Sequence, residues 1–278
     1  MIEQTSFSLR LSTERVLHGI VDRPAGPGPW PVTVLCHGFK GFMEWGFFPS
    51  LGLLLAERGF AAVRFNFSGA GMAPGDDKVT DLAAFEDNTF SREAEELREL
   101  LSRLAEIGGD TFDLDRLGLF GHSRAGAATL LAAADETSGV RALVTWAAIA
   151  TVDRWTEEQK EQWRREGVFG ILNGRTGQRL ALGRGLLEDL QNSTTSLDLE
   201  AAAKRLKIPW LIVHGVEDET VAIAEGRALA QAAKGHAEMV EIADGNHTLG
   251  ARHPFIGPTP ALIQALNATQ ALYRRILR

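Results

Sequence analysis

Apolar and polar positions alternate with a period of two residues near the start of the chain, which is typical of β-strands. Residues 6–11 and 16–21 both show this pattern, and the turn-like sequence Ser12-Thr13-Glu14 separates them. Residues 31–36 are instead continuously apolar, as expected for a strand that is buried on both faces. The pattern therefore predicts an antiparallel hairpin that leads into a central strand of a sheet.

Helical and strand patterns alternate after this first part of the chain, as they do in proteins with a parallel sheet. The alternation stops near residue 151, resumes near residue 208, and brings the number of predicted strands to eight. The predicted segments are helix 49–58, strand 60–65, helix 87–106, strand 117–121, helix 124–134, strand 140–146, strand 208–214, helix 221–233, strand 238–242 and helix 260–277.

The stretch 151–206 interrupts this rhythm. Residues 155–166 have a helical pattern, and residues 168–182 have the pattern of a hairpin around Asn173-Gly174-Arg175-Thr176-Gly177, with short helical patterns after it. We interpret 151–206 as a cap insertion over the sheet. Because the chain has no internal repeat and no long linker, residues 1–278 are predicted to form a single domain.

Composition and charge narrow the possible partners. The chain has 278 residues, of which 45% are hydrophobic, and its 29 Lys and Arg against 36 Asp and Glu give a net charge of −7. No basic block could follow a phosphate backbone, so nucleic acid is not an expected partner. No apolar run is long enough for a membrane span, no secretion signal is recognisable, and the single Cys36 excludes an intrachain disulfide. These features predict a cytoplasmic protein with no membrane partner.

The strongest chemical motif is Gly121-His122-Ser123-Arg124-Ala125-Gly126, where a predicted strand passes directly into a predicted helix. A turn this tight strains the serine backbone and needs small residues on both sides of it. The turn also places Ser123 at a helix N-terminus, where free N–H groups stabilise developing negative charge. We therefore predict that Ser123 is a nucleophile and that the N–H of Arg124 is one donor of an oxyanion hole.

With this motif the chain resembles the α/β-hydrolase superfamily, in particular its bacterial esterase, dienelactone-hydrolase-like and serine-aminopeptidase-like members. The resemblance implies an α/β-hydrolase fold with an eight-stranded, mostly parallel sheet, an N-terminal antiparallel hairpin, helices on both faces and a small cap insertion. Ala125 stands where the usual G-x-S-x-G motif has glycine, which affects only local packing.

The same resemblance assigns the other parts of a catalytic triad, in the chain order Ser, Asp, His. The segment from Ile208 to Asp218 resembles the strand and H-G-x-x-D sequence that carry the acid, so Asp218 is chosen over Glu217. His247 falls after the last strand and before the last helix, where the family places its base. In the segment His37-Gly38-Phe39, the N–H of Phe39 is implied as the second oxyanion donor, and His37 braces the loop.

Two other types of site would use some of the same residues. A metal site of His214, Asp218 and His247 is not supported, because the chain has neither an H-E-x-x-H motif nor cysteine-rich ligand spacing. Phosphate binding at Ser68-Gly69-Ala70-Gly71 lacks the surrounding motif of a nucleotide-binding loop. We therefore expect no metal and no cofactor.

The predicted function is the hydrolysis of small or aromatic carboxylic esters through an acyl-enzyme on Ser123. A small-molecule ester is the expected partner. Peptides, amides and thioesters react by the same first steps, and a catalytically silent ligand-binding protein of this fold is a further alternative. Aromatic residues in the cap and in the loop after His37 are candidates for the substrate pocket or for packing of the cap: Phe42, Trp45, Trp155, Trp163 and Phe169.

Overall fold

The eight predicted strands form one sheet in a computed structural model that describes all 278 residues. The predicted α/β-hydrolase fold and its strand count are thus confirmed. The strands are β1 (Ile2–Arg10), β2 (Val16–Pro24), β3 (Trp30–Cys36), β4 (Ala61–Asn66), β5 (Phe112–His122), β6 (Val140–Trp146), β9 (Trp210–Gly215) and β10 (Ala237–Ile242), and the hairpin strands β7 (Val168–Leu172) and β8 (Arg179–Gly183) lie outside this sheet.

The sheet has the strand order β1-β2-β4-β3-β5-β6-β9-β10. The β1–β2 and β2–β4 pairs are antiparallel, and all other pairs are parallel. Strand β1 lies at an edge and is largely exposed, which explains its alternating pattern, whereas β4 and β9 are buried along their whole length. The carboxyl ends of β3, β5, β6, β9 and β10 therefore meet at one edge of the sheet.

Helices cover both faces of the sheet. They are α1 (Phe48–Glu57), α2 (Leu82–Glu86), α3 (Phe90–Ser102), α4 (Leu104–Gly108), α5 (Ala125–Ala133), α6 (Glu157–Glu166), α7 (Arg184–Asn192), α8 (Leu199–Arg205), α9 (Ile223–Ala232) and α10 (Pro260–Ile276). Helices α1 and α10 contribute to one hydrophobic core, and α3, α5, α8 and α9 contribute to the core on the other face. None of these helices is both long and apolar enough to cross a lipid bilayer.

The prediction of one helix over 87–106 is wrong, because two helices lie in this part of the chain, α3 from Phe90 and α4 from Leu104. The side chain of Thr89 accepts a hydrogen bond from the N–H of Arg92 and so caps a new helix start at Phe90. Arg103, with a φ of −117°, separates α3 from α4. Apolar periodicity continues across this break, which is why the pattern alone predicted a single element.

Candidate active site

Four loops at the carboxyl edge of the sheet carry the candidate catalytic groups. Phe39 follows β3, Ser123 follows β5, Asp218 follows β9 and His247 follows β10. In an open α/β sheet this edge is where ligands bind, because the loops that leave parallel strands converge there. The predicted site residues are therefore brought to one edge although they span more than 200 positions of the sequence.

The backbone of Ser123 is strained in the way that the motif predicts. Its φ is +56°, a conformation that residues other than glycine rarely adopt, and its N–H donates to the carbonyl oxygen of Trp146 at 2.8 Å. A Cβ at Gly126 would lie 2.4 Å from the Cβ of Ala148, so only glycine allows α5 to pack this closely. Ala125 is buried at the start of α5, and its methyl group fits where the family motif has glycine.

Asp218 and His247 are in direct contact. The Nδ1 atom of His247 lies 2.8 Å from Oδ2 of Asp218, and the backbone N–H groups of Thr220 and Val221 donate to Oδ1 of Asp218 at 2.8 and 2.9 Å. Burial raises the pKa of Asp218, but hydrogen bonds from His214, His247 and the N–H of Val221 outweigh it, so the pKa lies well below its ordinary value. Asp218 is therefore a carboxylate at neutral pH, which suits a residue that must orient an imidazole.

The hydrogen bond to Asp218 fixes the proton of His247 on Nδ1 and leaves Nε2 as an acceptor. No hydrogen bond joins His247 to the hydroxyl of Ser123, but both side chains line the same two cavities. Catalytic hydrogen bonds are often long in the free enzyme and shorten when substrate binds. A molecule in these cavities would therefore contact both side chains.

The two predicted oxyanion donors are free to bind a ligand. The N–H groups of Phe39 and Arg124 donate to no backbone carbonyl and to no side chain. Both residues line a cavity of about 450 Å³ together with Ser123 and His247. Free N–H groups that converge beside a nucleophile can stabilise the negative oxygen of a tetrahedral intermediate. Their role in catalysis stays a prediction.

Only two of the five aromatic candidates lie at the cavities beside Ser123. Trp155 lines the larger cavity, and Trp45 lines a smaller one of about 160 Å³. Trp163 is fully buried, with its ring centroid 5.4 Å from that of Trp155 and 5.5 Å from that of Phe169. Phe42 is buried against His253. We therefore correct the predicted pocket set: Phe42 and Trp163 are buried behind the walls, and the half-buried Phe169 packs against Trp163 outside both cavities.

His122, which the sequence reasoning did not select, contacts the loop that carries His247. Its Nε2 lies 3.0 Å from the carbonyl oxygen of His247, so Nε2 must carry the proton and donate it. Burial and the nearby imidazole of His247 lower the pKa of His122 to about 3, so the ring is neutral at physiological pH. The place of His122 in the Gly121-x-Ser123 motif, directly before the predicted nucleophile, is the signal in the sequence that could have identified it.

The depressed pKa of His122 predicts a loss of stability in acid. The unfolded chain binds a proton at this residue below pH 6.5, whereas the folded protein binds it only near pH 3. As the pH falls between these values, the free energy of unfolding should fall by up to about 1.4 kcal/mol per pH unit from this residue. Urea unfolding between pH 7 and 4 should show a shallower dependence for His122→Gln than for the wild type, and parallel curves would contradict the assignment.

Comparisons with known proteins support the fold. A sequence model of the alpha/beta hydrolase family matches residues 33–257. The chain is 23% identical over 227 residues to 2,6-dihydropseudooxynicotine hydrolase of Paenarthrobacter nicotinovorans, covering 81% of this chain and 54% of that protein. It thus spans about half the length of this curated relative.

Two solved structures extend the comparison over nearly the whole chain. The esterase domain of a Rhodothermus marinus protein has a TM-score of 0.66 and 20% identity, with 100% of each chain covered. Est1E of Butyrivibrio proteoclasticus has a TM-score of 0.69 and 19% identity, with 97% of this chain and 98% of that chain covered. At these identities the likeness shows a shared fold.

Proposed function

Since this chain belongs to the alpha/beta hydrolase family, we propose that it cleaves carboxylic esters of small or aromatic substrates through an acyl-enzyme on Ser123. One observation carries this proposal: a carboxylate, Asp218, orients His247 at 2.8 Å, on the same cavities as a serine whose backbone has a positive φ. A serine hydroxyl needs such an activating base, because it is a poor nucleophile at neutral pH.

In the proposed reaction, Oγ of Ser123 attacks the ester carbonyl carbon while Nε2 of His247 takes the hydroxyl proton. The resulting oxyanion accepts hydrogen bonds from the N–H groups of Phe39 and Arg124. When the tetrahedral intermediate collapses, the C–O bond to the alcohol breaks and His247 returns the proton to the leaving oxygen. A water molecule, deprotonated by His247, then hydrolyses the acyl-enzyme and releases the acid.

The preference for small or aromatic esters rests on the cavity walls. Besides Trp155, the larger cavity is lined by Phe39, Phe90, Ile149 and Ile171, and its volume of about 450 Å³ suits a molecule of one ring or a short chain. The structural neighbour Est1E has been solved with ferulic acid bound, which is an aromatic acid. This likeness is a reason to include phenolic esters among the first substrates.

A fluorophosphonate probe and a panel of p-nitrophenyl and phenolic esters of increasing acyl length test the proposal. We expect covalent labelling of one peptide, identified by mass spectrometry as the one that contains Ser123, and turnover of the shorter esters. Labelling of Ser123 without cleavage of any ester would overturn the ester assignment and direct the search to amides, peptides and thioesters. Absence of both would favour a silent ligand-binding protein.

A further inference from the structure

Basic side chains are concentrated around Ser123. The residues that line its two cavities include Lys40, Arg124, Arg154 and Arg175, and no aspartate or glutamate is among them. This contrasts with the whole chain, whose net charge is −7. Cations without carboxylates in the walls of a cavity create a positive potential there, and that potential favours an anionic ligand.

Arg124 is the most informative of these residues, because its guanidinium is buried and only partly hydrogen-bonded. The Nε atom donates to Oε2 of Glu93 at 2.9 Å, whereas Nη1 and Nη2 donate to no protein acceptor, and Nη2 is completely buried. The guanidinium lies 3.8 Å above the ring centroid of Phe90, which holds it in place. A carboxylate is a suitable partner for the accessible Nη1, since a hydrogen bond between a guanidinium and a carboxylate is charged on both sides.

The ion pair with Glu93 does not use up the binding capacity of Arg124. Glu93 also accepts a hydrogen bond at 2.7 Å from the side chain of Asn88, so its two oxygens are both engaged on the side of α3. The pair orients the guanidinium and leaves Nη1, the terminal nitrogen that keeps accessible surface, without a protein acceptor.

The other cations differ in how far they are already neutralised. Lys40 is half-buried, makes no ion pair and reaches only the carbonyl oxygen of Leu172 at 3.5 Å, and burial lowers its pKa. Arg175 makes no direct ion pair, but it donates to the carbonyl oxygen of Asp77 and is close enough to interact with the charge of that residue. Arg154 is paired with Glu225 at 2.7 Å. Lys40, which lines both cavities, is therefore the charge that can reinforce Arg124, whereas Arg175 lines only the smaller cavity.

Acidic residues are present nearby but line a different depression. Glu217 and Glu219 flank Asp218 on the outer side of His247, and neither lines a cavity that contains Ser123. The catalytic histidine thus separates an acidic surface from a basic interior. A substrate with one negative group would be oriented by this asymmetry, with that group directed toward Arg124.

We propose that the site takes esters that carry a carboxylate, which is bound by Nη1 of Arg124 and by the charge of Lys40. This inference rests on the proposed ester hydrolysis and names its substrate class. The carboxylate can belong to the acyl part, as in a half-ester of a dicarboxylic acid, or to the alcohol part, as in an ester of a phenolic acid. In both cases the ester carbonyl stays at Ser123 while the carboxylate occupies the cavity lined by Arg124.

The test compares isosteric pairs of esters that differ only in charge. The acyl arm uses the mono-4-nitrophenyl ester of glutarate against that of glutaramate, and the alcohol arm uses the butanoyl ester of 4-hydroxybenzoate against that of 4-hydroxybenzamide. Because a hydrogen bond to a charged group is worth more than one to a neutral group, we expect kcat/KM to favour the carboxylate by about 10-fold or more in at least one arm. The arm that responds identifies the side of the ester that carries the charge.

Two variants test whether the named residues cause this preference. Lys40→Gln should reduce the ratio of carboxylate to amide kcat/KM by about 3-fold, as expected for a partly screened charge. The pair Arg124→Gln with Glu93→Gln, which avoids leaving an unpaired buried charge, should reduce it by about 10-fold or more. Lys207→Gln is the matched control, because Lys207 is exposed and precedes β9 at the opposite edge of the sheet.

The outcomes separate this inference from the proposed function. If the amides are cleaved as fast as or faster than the carboxylates in both arms, and Lys40→Gln leaves the ratio unchanged, the inference is overturned while ester hydrolysis stands. If neither type of ester is cleaved and Ser123 is not labelled by a fluorophosphonate, the proposed function itself fails. A preference that disappears in the Lys40 and Arg124 variants but persists in Lys207→Gln supports the inference.

Discussion

Ser123→Ala is expected to lower kcat for ester hydrolysis by about 10⁴- to 10⁶-fold, because the variant has no oxygen with which to form the acyl-enzyme. The N–H groups of Phe39 and Arg124 remain in place, so a residual rate above that of water should persist. Fluorophosphonate labelling should disappear altogether. The measurement is kcat for the best ester of the panel, with labelling scored on a denaturing gel.

Loss of activity in Ser123→Ala has to be separated from loss of folding. Alanine adopts a φ of +56° at a similar cost to serine, and the N–H that donates to Trp146 is retained, so the melting temperature should stay close to that of the wild type. Ser102→Ala, at the exposed end of α3, is the matched control and should keep full activity. A folded Ser123→Ala variant that still turned over esters would show that another group is the nucleophile.

Most of the fold could be predicted because the apolar and polar residues of each strand indicate how deeply that strand is buried. The exposed edge strand β1 alternates, and central strands such as β3 are continuously apolar, so local pattern and sheet position agree. The prediction of one helix over 87–106 was wrong for a reason that is also local. The break at Arg103 depends on the backbone conformation of one residue, and the apolar periodicity that runs across it gives no sign of the break.

The candidate triad could be located because each member follows directly from a strand end. The groups that support the triad could not be located in this way, since their contacts join distant parts of the chain. Glu93 meets Arg124 across 31 positions, and His122 meets the carbonyl of His247 across 125. His214, weighed at first only as a metal ligand, lies 3.4 Å from Asp218 and hydrogen-bonds the carbonyl of Val221. Only the assembled sheet brings these pairs together.

The aromatic residues show a second reason why parts of the site could not be predicted from the sequence. Trp155 and Trp163 lie eight positions apart in the same insertion, yet one lines the cavity and the other is fully buried behind it. Their identity and spacing are equally compatible with either place, because a tryptophan in contact with substrate and a tryptophan in the core both need an apolar environment. Trp155 lies in the loop before α6 and Trp163 lies within α6, so the backbone that carries each residue decides between the two places.

Asp218→Asn should lower kcat by about 10⁴-fold while leaving the fold intact, because an amide cannot hold His247 in the required tautomer. The single oxygen of the amide can still accept hydrogen bonds from the N–H groups of Thr220 and Val221. The amide nitrogen would then face Nδ1 of His247 and donate to it, so the proton of the imidazole would move to Nε2. In that tautomer His247 cannot take the proton of Ser123.

Glu217→Gln is the matched control for this variant, since it makes the same carboxylate-to-amide change at the neighbouring residue, whose side chain is exposed. Its effect on kcat should stay within about 3-fold, as expected for an exposed surface charge. The ratio of the two kcat values therefore shows directly whether Asp218 or Glu217 is the acid that orients His247. If Glu217→Gln lost activity and Asp218→Asn kept it, the orienting carboxylate would be Glu217, and the contact at 2.8 Å between Asp218 and His247 would have only a structural role.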